Sequence, residues 1–264
     1  MIDARFSLRG KTAIVTGAGS GLGRAMAFAL ADAGANVVGA ARRLEPLEET
    51  RAHIEAKGVR GLSVPCDATD SDQVDAMVAR AIAEFGRVDV LINNAGGGSA
   101  GRGKTLPELT NSDWFDGINT NLSSAFFCSR AIIPHYLEQG GGKVINITSG
   151  WGMRGGRGNF MYSIAKGGVI QLTKTLAMTY ARDNIHVTCI APGSIPHRQS
   201  QEQRAQRDSL QPIGRTGYAV EIGPLAVLLA SDASNYMTGE IVLLDGAAIA
   251  AGVTPGGVVP RAED

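Results

Sequence analysis

The stretch Thr12-Ala13-Ile14-Val15-Thr16-Gly17-Ala18-Gly19-Ser20-Gly21-Leu22-Gly23 begins as a β-branched run and ends in glycines. An alanine-rich helical pattern follows from Leu22 to Asp32, and Asn36–Ala40 is again strand-like, so the chain opens strand, helix, strand. The glycine spacing is TGxxxGxG, not the strict GxGxxG of many dinucleotide loops. Its physics is the same: residues without side chains let the backbone approach a pyrophosphate at the positive end of a helix. Gly17, Ser20, Gly21, Leu22 and Gly23 are therefore candidate cofactor contacts. A glycine-rich turn with no ligand is the alternative this stretch leaves open.

Further strand candidates are Gly61–Pro65, Val88–Ile92, Lys143–Thr148, Ile185–Ile190 and Glu240–Leu244, each separated from the last by a helical segment. The helix after Thr69-Asp70-Ser71 is the best defined, with Val74, Met77, Val78, Ala81, Ile82 and Phe85 on one face. About seven strands alternating with helices predict an α/β fold, a doubly wound parallel sheet with helices on both faces. No linker divides the 264 residues, so a single domain is expected. Its cofactor half covers about residues 8–110, its catalytic and substrate half about 111–250, and 251–264 reads as a surface tail. The glycine clusters beginning at Gly96 and Gly150 follow strands directly and should border a site, whereas Gly140–Gly142 enters a strand and needs only a turn.

Lys+Arg and Asp+Glu both number 25, so no overall field favours nucleic acid or an anionic membrane, and neither is an expected partner. The start lacks the apolar run of a signal peptide, and no stretch approaches the roughly 20 apolar residues of a membrane span. A soluble, cytoplasmic protein is expected. Cys66, Cys128 and Cys189 lack CxxC spacing, and His53, His135, His186 and His197 lack HxxxH spacing, so buried thiols and no metal are expected.

The second strand ends at Ala41-Arg42-Arg43. NAD sites place an acid about 20 residues past the glycines to bind ribose hydroxyls; here that acid is missing and guanidinium is present. Arginine forms paired charge-assisted hydrogen bonds with phosphate, so NADP(H) is expected over NAD(H). A cap on a solvated strand end is the plainer alternative. Asp67 with Ala68, and Asn94, Ala95 and Gly96, follow neighbouring strands on the same rim and suit an adenine and a ribose. Asp and Asn at these places read equally as turn residues bonded to their own backbone.

Tyr162 and Lys166 are four residues apart on one helix, which puts phenol and ammonium on one face. A cation about 4 Å from the phenol, at an effective dielectric of about 20, is worth roughly 4 kcal/mol, enough to bring a phenol from about 10 toward neutrality before desolvation subtracts. YxxxK alone is common, and an aromatic resting on a lysine stem explains it too. Ser149, ending the preceding strand, adds a hydroxyl able to donate to a developing alkoxide. Asn121 lies within a long helix, Asp113–Tyr136, where asparagine is a poor helix former, and its amide could hold a water joining Lys166 to solvent.

Together these motifs resemble a classical short-chain dehydrogenase/reductase over about Leu8 to Gly246. The resemblance is carried by Gly17, Gly21, Gly23, Asp67, Asn93-Asn94-Ala95-Gly96, Asn121, Ser149, Tyr162, Lys166, Pro192-Gly193 and Gly239 through Asp245-Gly246, in the family's order. It implies a Rossmann-type fold and hydride transfer between nicotinamide and a carbonyl or secondary alcohol. Tyr162 would be general acid/base, Lys166 ribose ligand and pKa modulator, Ser149 substrate orienter and Asn121 part of a proton relay. Pro192, Gly193 and Ile195 would border the nicotinamide. The resemblance also implies a homotetramer built on the long helices.

There are departures. The family commonly has threonine after the Pro-Gly turn, where this chain has Ser194-Ile195-Pro196-His197, so Ser194 or backbone should replace that contact. The lid segment Arg198–Gln211 is short and polar, and Ala247 replaces a frequent second glycine, a change expected to be harmless. Arg102 and Lys104, Arg154 and Arg157, and His197-Arg198 bring positive groups toward one mouth, which would attract an anionic substrate; ordinary solvated arginine is the alternative. The leading reading is a carbonyl reductase or alcohol dehydrogenase. A 3-oxoacyl-carrier-protein reductase and an idle NADP(H)-binding sensor or scaffold are the other readings.

Overall fold

The computed structural model describes residues 4–98, 100–196 and 200–250. The tail 251–264 and the pair His197-Arg198 lie outside the described residues. In chain order the elements are β1 (Thr12–Thr16), α1 (Gly21–Asp32), β2 (Asn36–Ala41), α2 (Leu44–Glu55), β3 (Gly61–Pro65), α3 (Ser71–Phe85) and β4 (Val90–Asn93). There follow α4 (Asn111–Ile118), α5 (Ser124–Gln139), β5 (Gly142–Ile147), α6 (Phe160–Tyr180), β6 (Ile185–Pro192), α7 (Gln201–Asp208), α8 (Ile222–Ala230) and β7 (Ile241–Leu244).

All seven strands pair parallel in the order β3-β2-β1-β4-β5-β6-β7. Parallel strands need covered crossovers, and both faces are buried. Ala13 and Val15 of β1 join Met26, Leu30, Leu47, Ile222 and Leu229 on one face. Ile14, between them, packs with Val74, Met77, Ile132, Tyr136 and Val187 on the other. The period-two alternation of a strand thus feeds two cores at once. Successive strands leave β1 in opposite directions across the sheet, so a crevice opens beyond the carboxyl ends of β1 and β4.

Some expected boundaries move. Val88 is outside β4 because its amide donates to His135 Nε2 (3.1 Å) and its carbonyl accepts from Gln139 Nε2 (2.7 Å). β5 stops at Ile147, so Ser149 lies past the strand and caps a single 3-10 turn, Gly150–Gly152. The expected continuous helix around Asn121 is interrupted by a π turn, Asn119–Ser123, joining α4 to α5. The run Gly140–Gly142 does more than turn. Gly140 caps α5 in the left-handed region, and a Cβ on Gly142 would meet the Tyr136 ring at 2.5 Å.

Candidate active site

The glycine loop is held from both sides. Thr16 Oγ1 donates to the Ile92 carbonyl (3.2 Å) and accepts from the amides of Asn94 (3.0 Å) and Ala95 (2.9 Å). Asn94 Nδ2 returns a hydrogen bond to the Thr16 carbonyl (2.9 Å), which locks the loops after β1 and β4 together. A Cβ on Gly17, whose φ is +71°, would lie 2.7 Å from Asn94 Nδ2, and one on Gly23 would lie 2.5 Å from it. From the far side Arg24 donates to the Gly19 carbonyl (2.6 Å) and Thr50 Oγ1 to the Ala18 carbonyl (3.1 Å). Gly23 lets α1 close on the Gly17 carbonyl and Asn94 and does not line the cleft.

Beyond these loops is a cleft of about 690 Å³. On the β2 and β3 side it is lined by Ala41, Arg42, Arg43, Asp67 and Ala68, and at its centre by Gly17, Ser20, Gly21, Leu22, Asn94, Ala95 and Gly96. Ser149, Tyr162, Lys166, Pro192, Gly193 and Ile195 line it on the β5 and β6 side. Asp67 is a turn residue bonded to its own backbone, one oxygen accepting from the Thr69 amide (3.0 Å) and hydroxyl (2.8 Å), and it also lines the cleft.

Tyr162 and Lys166 lie in the first turns of α6, which packs on the turn after β5. Thr148 Oγ1 donates to the Lys166 carbonyl (2.7 Å), and a Cβ on Gly152 would meet that carbonyl at 2.7 Å. The Lys166 side chain is only 4% exposed. Its Nζ spends one donor on the Ile147 carbonyl (2.9 Å), and the ammonium's other donors remain for the cleft. Ser149 Oγ accepts from the Trp151 amide (3.3 Å), and its own O–H is within reach of the Tyr162 phenol on the cleft wall.

The lowered phenol pKa expected from the neighbouring ammonium is not what the protein itself provides. Burial raises the Tyr162 pKa above its ordinary value, and the Ser149 hydroxyl works against it. Lys166 Nζ stands 5.8 Å from the ring centroid and donates to the Ile147 carbonyl, and its charge does not offset the cost of burying the phenolate. Burial also lowers Lys166 to about 8, opposed by Cys189.

Asn121 is buried but does not line the cleft. Its Oδ1 accepts from the Gly97 amide (2.9 Å), and its Nδ2 donates to the carbonyls of Gly97 (3.3 Å) and Gly117 (3.2 Å). The π turn explains the residue: its side chain satisfies a helix carbonyl while pinning the glycine loop after β4. Ser194 borders a separate cavity of about 120 Å³ and is not on the main cleft, which leaves Ile195 as the cleft-lining residue after the Pro-Gly turn. Ala247 adopts φ +70°, a left-handed conformation that glycine takes without strain, so the substitution is not conformationally neutral. Lys104, one of the expected mouth cations, pairs with Asp113 (2.7 Å).

Sequence reading missed Thr16 and Thr148, whose residue type in a strand signals only β propensity. It also missed the buried chain running from Asn93 Nδ2 to Asn146 Oδ1 (2.9 Å) and from Asn146 Nδ2 to Thr173 Oγ1 (2.9 Å), which ties α6 to the sheet. Among the described residues no group of three or more His, Cys, Asp or Glu could hold a metal ion, and no helix is long and apolar enough to cross a membrane.

This arrangement of a dinucleotide-sized cleft between a glycine loop and a Ser-Tyr-Lys wall has close counterparts. The family model for short chain dehydrogenases matches residues 11–208, and the chain belongs to that family of oxidoreductases. It is 41% identical over 254 residues to a 2-dehydro-3-deoxy-D-gluconate 5-dehydrogenase of Escherichia coli (strain K12), covering 93% of this chain and 98% of that protein. A 3-oxoacyl-(acyl-carrier-protein) reductase of Thermotoga maritima is 36% identical over 245 residues, covering 90% and 98%. The structure of a 7α-hydroxysteroid dehydrogenase complexed with NADH and 7-oxo glycochenodeoxycholic acid superposes with a TM-score of 0.86 at 29% identity, covering 93% of this chain and 97% of that one.

Proposed function

We propose that this chain is an NADP(H)-dependent dehydrogenase/reductase that interconverts a ketone and a secondary alcohol on a small hydroxylated carboxylate. The carrying observation is one continuous cleft that has guanidinium groups and no acid at the end of β2, and Ser149, Tyr162 and Lys166 on its opposite wall. The 41% identity to a gluconate-derivative dehydrogenase supports the sugar-acid substrate class.

The residues present fit a nicotinamide dinucleotide. The loop cannot accept a Cβ at Gly17, so its backbone stays open to a pyrophosphate, and the remaining Lys166 donors suit ribose hydroxyls. Arg42 and Arg43 are exposed and in no ion pair among the described residues, and would hold a 2′-phosphate. When bound, nicotinamide supplies or accepts the hydride and, when oxidised, adds a positive charge near the phenol.

In the direction of reduction the substrate carbonyl oxygen accepts hydrogen bonds from Ser149 and Tyr162, which polarises the carbon. As that carbon gains a hydride, Tyr162 gives its proton to the forming alkoxide, and ketone plus hydride plus proton becomes alcohol. Oxidation reverses each step: the phenolate takes the alcohol proton. Lys166 holds positive charge beside this exchange below about pH 8 and becomes neutral above it.

Nicotinamide absorbance assays with NADPH and NADH test this reading against 2-dehydro-3-deoxygluconate, other keto acids, neutral ketones and an acyl thioester. Keto-acid turnover with NADPH is expected. Activity confined to acyl thioesters would favour the carrier-protein reductase, to which the chain is also 36% identical. Absence of turnover with every class would favour the sensor. A homotetramer belongs to the same proposal, supported by exposed Trp114, Phe115 and Phe126 on α4 and α5 and Ile164 and Met178 on α6. Sedimentation would show four chains.

A further inference from the structure

Two loops leave the ends of β4 and β5 on the side of the cleft, one running from Gly97, which lines it, to Lys104, and one from Gly150, next to the cleft-lining Ser149, to Asn159. Neither contains an acidic residue, and together they carry Arg102, Lys104, Arg154 and Arg157. Lys104 is neutralised by Asp113, whose carboxylate also caps the Thr110 amide (2.9 Å). The three arginines are exposed and enter no ion pair among the described residues. Elsewhere arginines of this chain commonly have acids: Arg24 pairs with Glu49, Arg51 with Glu48 and Glu55, and Arg215 with Glu221.

The fold joins the two loops. The Gly103 amide donates to the Gly158 carbonyl (2.8 Å), and a Cβ on Gly158 would stand 3.2 Å from the Gly103 Cα, so backbone rests on backbone. Arg102 and Arg157 each precede one of these glycines, so the junction brings the two residues to one place. Arg154 is fixed separately: its guanidinium lies 4.5 Å over the Trp151 ring, and that ring is seated on Gly156, where a Cβ would be 3.0 Å away. The Trp151 amide donates to Ser149 Oγ, so the Trp-Arg pair belongs to the same short turn as the hydroxyl that meets the substrate oxygen. Stacking occupies the guanidinium face and leaves its N–H edges free for a bidentate contact.

We infer that Arg154, supported by the joined Arg102 and Arg157, is the recognition site for the substrate's carboxylate. In a hexonate that reacts at C5, as the name of the 41%-identical relative specifies, the reacting carbon sits toward one end of the carbon chain and the carboxylate caps the other. A site at Ser149 with a guanidinium cluster on the adjoining turn matches that layout. This inference rests on the sugar-acid reading above and names the residues that select it. Placing the charge contact on a pre-stacked arginine lowers the rotamer entropy lost on binding.

The test is calorimetric titration of D-gluconate and of uncharged D-gluconamide into the protein saturated with its oxidised nicotinamide dinucleotide, at low and high salt. Gluconate should bind at least about tenfold more tightly than the amide, as a bidentate charge-assisted contact requires, and salt should shrink the difference. Arg154→Gln should bring the two ligands within about twofold, and Arg154→Lys should restore only part of the preference. Equal binding of both ligands, binding of neither, or a preference that survives Arg154→Gln would each overturn the site. So would an Arg154→Gln defect seen only with an acyl thioester. Turnover is read separately: an Arg154-dependent preference without reduction of any keto sugar acid would sink the proposed reaction and leave the carboxylate site standing.

Discussion

Two buried lysines stand at the two ends of β5 and differ only in what surrounds them. Lys143, second in the strand, is 6% exposed and donates to Ser234 Oγ (2.9 Å); Lys166 is 4% exposed and donates to the carbonyl of Ile147, the strand's last residue (2.9 Å). Burial lowers both to about 8. Around Lys143 the rim is closed by Lys11, Asp232 and the 3-10 turn that carries Ser234, and it borders neither cavity described above. Around Lys166 the rim is held open by glycines. A perturbed lysine is therefore no evidence of a site by itself: the shift reports desolvation, and only the open rim gives the ammonium something to act on.

The largest effects are expected on the open rim. Tyr162→Phe removes the phenol beside Lys166, and turnover should fall at least about 100-fold while cofactor titration shows binding retained. Ser149→Ala should raise the barrier by about 2–4 kcal/mol, read from kcat/KM. Normal turnover by the Phe variant with a verified substrate would remove the chemical distinction between the rims.

The two lysines can be set against each other directly. Lys166→Ala should weaken both turnover and cofactor affinity, whereas Lys143→Met should leave both intact and raise stability. The folded-state pKa of Lys143 lies below its ordinary 10.5, so the folded protein holds this proton less tightly than the unfolded chain. Its cost is fully present below about pH 8 and disappears as pH rises toward 10.5. Lys143→Met should thus gain about 1–3 kcal/mol at neutral pH and flatten the rise in stability across that window, measured by denaturant melts at several pH values. An unstable Met variant would mean that the hydrogen bond to Ser234 outweighs desolvation.

On the nucleotide side, NADP(H) should bind better than NAD(H) by about 1–3 kcal/mol, and Ala41→Asp with Arg42→Ala should reverse the preference. Equal use of both nucleotides by the unaltered protein would show that these arginines only solvate the end of β2. The smallest effect concerns backbone strain just after β7: Ala247→Gly relieves a φ of +70° and should stabilise by about 1 kcal/mol in a thermal melt, less the entropy glycine adds to the unfolded chain.

The sequence by itself determined the parallel sheet, because β-branched runs alternating with helical patterns have few other ways to bury both faces. It also located Tyr162 and Lys166 on one helix face, since helical spacing is local, and assigned the glycine loop, Arg42 and Asp67 to one rim, since in a parallel sheet every strand ends on the same side. Only the tertiary structure decided what depends on neighbours distant in the chain. Asn121 turned out to brace Gly97 from a π turn, Thr16 to lock two loops, and Lys104 to be spent on Asp113. The direction of the Tyr162 shift belongs here too: two side chains four apart on a helix lie near each other, but burial of the phenol outweighs what lowers its pKa. Spacing fixes proximity along the chain, whereas desolvation and hydrogen-bond competition are set by what the fold packs against it.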